Sequence, residues 1–164
     1  MSDPFDLARF TAAQDADGTY VRVLAELRAG RKTSHWMWFV FPQIAGLGHS
    51  PTSRLFAIAS VAEARAFLEH PVLGARLLRC TGLVANLTGP AASDIFGETD
   101  AAKLRSSMTL FAIAAPHEPL FGEVLDRFFG GSRDRATEER VDERGTQGSV
   151  RHSRSAVKDG WPTA

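Results

Sequence analysis

Between Gly30 and Gly48 the chain reads GRKTSHWMWFVFPQIAGLG. Residues able to do chemistry there surround a dense aromatic run. Arg31 and Lys32 can pair with a phosphate or carboxylate, and amides at a helix start near Ser34 would add to that attraction. Trp36 and Trp38 offer flat faces on which a base or another planar group can stack. His35 can carry a proton near neutral pH, and the Gln43 amide can read a polar edge. The competing reading makes the rings core, since aromatic side chains supply much of a small domain's buried area. Packing requires neither a histidine nor a glutamine there, so the polar residues are the better site candidates.

A second cluster is KLRSSMTLF, residues 103–111. Leu104, Met108 and Phe111 share one helical face, which leaves Lys103, Arg105 and Ser106 for other sides. Arg105 can fork onto an anion with Ser106 assisting. Its structural alternative is a salt bridge to Asp94 or Glu98, with Ser106 and Ser107 letting helices approach closely. No GxSxG pattern marks a serine nucleophile, and no catalytic residue is assigned. His35, His49, His70 and His117 lack metal-ligand spacing, so no metal and no cofactor are expected. GLGHS (46–50) follows no strand and precedes no lysine, so it is a turn rather than a phosphate loop. Asp94, Glu98 and Asp100 read as carboxylates at a helix start.

The elements that must position these residues are helical. Asp3 and Pro4 give a start signal, followed by Phe5, Leu7 and Phe10. Tyr20, Leu24 and Leu27 recur at helical spacing until Gly30 stops them. SVAE (60–63) reads as a capping box. Leu73, Leu77, Cys80, Val84 and Leu87 form one stripe, and Leu104, Met108, Phe111 and Ala115 another. Pro119 opens a last helix with Leu120, Val124, Leu125 and Phe128, closed by Gly130 and Gly131. WMWFVF (36–41) has strand-like residues but no partner strand, so it is expected to be a short helix capped by Ser34, or a turn, ended by Pro42. The expected fold is an all-α, irregular multihelical bundle of six to eight helices.

The 164 residues carry zero formal net charge, with 44% hydrophobic and 23% charged residues, values of an ordinary globular domain. No global field draws the chain to nucleic acid, and the apolar run at 36–41 is far too short to span a bilayer. A lone Cys80 forms no internal disulfide, and the N-terminus lacks the order of a signal peptide. A cytoplasmic location with neither membrane nor nucleic-acid partner is the expectation. From Ser132 to Ala164 there is no Leu, Ile, Phe or Met. Such a segment buries too little to offset its ordering entropy, which predicts one folded domain over 3–131 and a polar, disordered tail over 132–164.

Five stretches in order (DPFDLARFTAAQD, ELRAGRKTSHWMWFVFPQIAGLGHSPTS, HPVLGARL, DIFGETDAAKLRSSMTLFA and VLDRFFGG) resemble domain-of-unknown-function family 1810. The resemblance covers about residues 3–131. It implies a small, mostly bacterial, multihelical protein and supplies no activity and no catalytic residues. The calpastatin label carried by some members does not suit a chain with this many apolar stripes. The resulting expectation is a small anionic or nucleotide-like ligand, bound where Arg31, Lys32, Ser34, His35, Trp36, Trp38 and Gln43 meet Arg105 and Ser106. Lys32, His35 and Arg105 should then converge on one partly open pocket. The alternative is an interaction module, homodimeric or with another protein, using exposed aromatics of Trp36–Phe41. The sequence leaves monomer or dimer open.

Overall fold

The computed structural model describes residues 2–144. It is built of helices α1 (Ala8–Asp15), α2 (Thr19–Ala29), α3 (Met37–Val40), α4 (Pro51–Leu55), α5 (Val61–Glu69), α6 (Leu73–Ala85), α7 (Ala92–Ala114) and α8 (Leu120–Phe129). A 3-10 turn at Ala16–Gly18 joins α1 to α2. The apolar stripes find one another as their spacing requires. α5, α6, α7 and α8 pack into a central group, and α1, α2 and α3 cover one side of it. Leu73, Leu77, Cys80 and Val84 of α6 are buried with Leu104, Met108 and Phe111 of α7 and Phe121 and Val124 of α8. Phe111 links two aromatic neighbours, with ring centroids 5.6 Å from both Phe67 and Phe121. No helix among the described residues is long and apolar enough to cross a membrane.

Several local signals act differently from their simplest reading. The Asp3 carboxylate does accept helix-start amides, but from Leu7 and Ala8, at 2.8 and 2.9 Å, so regular helix begins at Ala8. Ser60 caps α5 through the Glu63 amide at 3.1 Å. The Glu63 side chain instead meets Arg9 at 3.0 Å. WMWFVF makes a single helical turn, α3, but Ser34 does not cap it, because its hydroxyl is held by Glu26. Ile44 and Ile58 form an isolated parallel bridge, in which Ala45 donates to Ile58 and Ile58 to Gln43, each at 2.8 Å. This bridge ties the loop after α3 to the entry of α5.

The boundary expected at Gly131 is corrected by the structure. Residues 135–144 are helical, Thr137 is fully buried and Val141 packs on the core. Composition misleads here because the segment is held by polar contacts rather than by large apolar side chains. One Asp134 carboxylate oxygen accepts from the Thr137 amide, the Thr137 hydroxyl and the Ser106 hydroxyl. The Asp134 amide donates to the Thr109 hydroxyl at 2.9 Å. Farther along, Arg144 donates to the Ala59 carbonyl at 2.7 Å. The expected disorder of 145–164, Trp161 included, concerns residues outside those described. Asp134→Ala should remove a cap worth about 1–2 kcal/mol. The 135–144 amides should then exchange hydrogen roughly 5–30-fold faster, which exchange mass spectrometry reads while α5–α8 stay protected.

Candidate functional site

The basic-aromatic stretch begins where Gly30, in the left-handed region at φ 71°, ends α2. One carboxylate then organises the turn. Glu26 accepts from the Thr33 and Ser34 amides, the Ser34 hydroxyl and, at 3.2 Å, the Trp36 indole N–H. Burial alone would push this carboxyl up. The hydrogen bonds from Ser34, Thr33 and Trp36 outweigh it and hold the group down at about 2. Trp36, Met37, Val40 and Phe41 are buried. Ser34 and Trp36 are therefore structural, and the stretch presents no row of exposed aromatics. The exposed aromatics on which the interaction-module alternative at Trp36–Phe41 relied are absent, since Trp36 and Phe41 are buried and Trp38 and Phe39 half-buried.

Lys32 is spent as well. Its amide donates to the Ile95 carbonyl at 2.8 Å, and its ammonium lies 2.7 Å from Asp100 and 5.1 Å from the Trp36 ring centroid. With a side chain only 6% exposed, it pins the stretch to α7 and lines neither of the two cavities described below. α7 is interrupted at Gly97 (φ 78°, ψ 164°), so Asp100 stands in the first turn of the run that follows. Asp100 also meets Lys103 at 3.4 Å. Two ammonium groups share one carboxylate, and one unit of positive charge is left over. Lys103 sits over the Trp38 ring at 4.4 Å and reaches the cleft described next.

That cleft, of about 600 Å³, runs along the exposed side of α7 toward α8. Its lining includes Gln43, Lys103, Arg105, Ser106, Phe128 and Phe129. Arg105 does not bridge to Asp94 or Glu98 as its structural alternative supposes. It donates to the carbonyls of Ser132 and Arg133 and to the Ser132 hydroxyl, with Phe129 at 6.0 Å. These partners are neutral, so the guanidinium charge is not cancelled. Glu98 and Asp134 also line the cleft, but the Asp134 oxygen described above already accepts three hydrogen bonds.

A smaller chamber of about 130 Å³ adjoins this cleft, and Gln43, Gly48 and Ser53 line both. Trp38 is among its lining residues, and its buried indole N–H has no protein acceptor within reach. Leaving such a donor unpaired costs about 1–3 kcal/mol. The Ser107 hydroxyl is likewise buried without a partner, but lines neither cavity.

Of the three residues expected to converge, only Arg105 lines the cleft. Lys32 is sealed behind Asp100, and His35 is exposed on neither cavity wall. Arg31 is exposed too and lines neither. Trp38, Gln43, Arg105 and Ser106 remain as candidates. To them the structure adds Lys103, Phe128, Phe129 and Asp134. An Asp followed by helix formers from 135 on is a readable cap signal for the last of these. Cys80 is buried, and that burial pushes its thiol up to about 12, so it is not a nucleophile. Among the described residues no three His, Cys, Asp or Glu side chains stand together to hold a metal.

Comparison with known proteins agrees with this architecture. The crystal structure of the conserved hypothetical protein Rv1873 from Mycobacterium tuberculosis superposes with a TM-score of 0.83 at 50% identity, covering 85% of this chain and 99% of that one. A search of curated proteins returned no match. The model of the protein family of unknown function DUF1810 matches residues 4–141, a span that includes α1–α8 and most of the helical segment after Asp134. The chain belongs to the DUF1810 family.

Proposed function

We propose that the chain binds a small anionic ligand, of nucleotide or sugar-phosphate type, in the cleft between α7 and α8. The observation that carries this is the pair of cations on its wall, Lys103 and Arg105, neither matched by a carboxylate of its own. Phe128 and Phe129 supply apolar surface for the body of such a ligand, and Gln43 an amide for a polar edge. Glu98 near the same wall favours a ligand that also carries hydroxyl or amino donors over a bare polyanion. Binding is favoured over catalysis because His35, the candidate proton carrier, stands outside the cleft.

The test is a thermal-shift screen of the full chain against nucleoside monophosphates, sugar phosphates and dicarboxylates. A ligand present at a hundred times its dissociation constant should add about 2.7 kcal/mol, which is several degrees for a chain of this size. Lys103→Ala should weaken that binding roughly ten- to a hundredfold, since a hydrogen bond to a charged group is lost. Stabilisation by neutral or cationic compounds only, or binding indifferent to Lys103→Ala, would contradict the proposal.

A further inference from the structure

We infer that the small chamber beside the cleft is a subsite for a compact oxyanion, a carboxylate or phosphate group, at the inner end of the ligand. This deepens the cleft reading and rests on it for the rest of that ligand. Charge comes first: Arg54 is the one charged residue on the chamber wall, and no hydrogen bond or ion pair engages its side chain among the described residues. Donors come next. Trp38 lines the chamber and carries a buried indole N–H without a protein acceptor, and Gln43 contributes an amide. Gly46 and Gly48 bring backbone to the wall, and neither of their amides donates to a protein acceptor among the described residues. A surplus of donors around one cation, with no carboxylate on the wall, is the chemistry of an oxyanion site.

Size and access agree. The chamber's 130 Å³ is roughly ten times what a single water requires, so a group of several heavy atoms fits. Its glycines cannot be enlarged freely. A Cβ on Gly48 would stand 2.6 Å from the Ser53 hydroxyl, and Gly46 has φ 99°. Because Gln43, Gly48 and Ser53 line both cavities, an anionic head in the chamber continues directly into the cleft. The head then meets Arg54 and Trp38, and the body meets Lys103, Arg105 and the phenylalanines.

The experiment follows the tryptophan indole signals of the full chain by two-dimensional ¹H–¹⁵N NMR while inorganic phosphate or acetate is added at constant ionic strength. The chain has three tryptophans. Trp38→Phe identifies the Trp38 signal, and Trp36, tied to Glu26, is the internal control. The Trp38 signal should move saturably with at least one of the two anions while Trp36 stays still. Arg54→Ala should weaken that response about tenfold. Ala102→Trp, which fills the neighbouring cleft, should leave it intact. A Trp38 signal that stays still or drifts without saturating, or one that responds equally in Arg54→Ala, overturns the subsite and leaves water as the chamber's occupant. A saturable response without any organic ligand for the cleft keeps the subsite and removes the larger proposal. The two failures are thus distinguishable.

Discussion

Glu26→Ala should destabilise the protein by about 3 kcal/mol, seen as a fall of roughly 10 °C in melting temperature. Four donors converge on this carboxylate, among them the indole of Trp36, a residue only 1% exposed. Water can replace the carboxylate at the Thr33 and Ser34 amides but reaches the indole poorly. The acid behaviour follows from the same contacts. The folded carboxyl titrates at about 2, below its ordinary 4.5, so its contribution is full above pH 4.5 and is lost as pH falls through about 2. Glu26→Gln should flatten the stability curve in that window while costing less than alanine at neutral pH. Urea titrations between pH 2 and 5 check both. A wild-type curve no steeper there than that of Glu26→Gln would show that the four bonds do not favour the charged form.

Gly74→Ala should be at least as damaging, although it adds a single carbon. Gly74 is buried in the first turn of α6, and a Cβ there would stand 1.9 Å from the Leu68 carbonyl oxygen and 2.8 Å from its carbon. The obstacle is backbone, so α5 and α6 must separate, and both are part of the central helix group. About 3 kcal/mol or more is expected, at the upper end of overpacking costs, with poor recovery of folded protein. Gly82→Ala in the same helix has nothing within 4 Å of its new carbon. It should stabilise by about 0.5–1 kcal/mol through helix propensity. Opposite signs from the same substitution on one helix would locate the effect in the α5–α6 contact. Equal signs would contradict it.

The helices were legible because burying an apolar stripe is a local pattern with a fixed period. Leu73, Leu77, Cys80 and Val84 declare a face whatever packs against it, and the structure buries all four. The one-turn helix at Met37–Val40 followed from Pro42 and from the lack of a strand partner. The site was less legible because polar residues take their meaning from distant partners. Nothing near Lys32 announces Asp100, and nothing near Arg105 announces that Ser132 and Arg133 offer it their carbonyls. Glu26 lies within one turn of the loop that it organises, yet as a helix-surface glutamate it reads like any other. The 132–144 segment illustrates the same limit. Composition assigns it to solvent, whereas Asp134 and Thr137 hold its start through hydrogen bonds that composition does not register.

The cleft can be tested by filling it. Ala102 is exposed on its wall in α7 and contributes nothing to the core, so Ala102→Trp should fold normally while occupying the space that a ligand needs. The measurement is calorimetric titration of the full chain and of this variant with whichever nucleoside monophosphate or sugar phosphate stabilises the wild type. Binding by the wild type, and its loss in an Ala102→Trp protein of unchanged melting temperature, is the predicted result. Equal affinity in the two proteins would place the ligand elsewhere and contradict the assignment of the cleft.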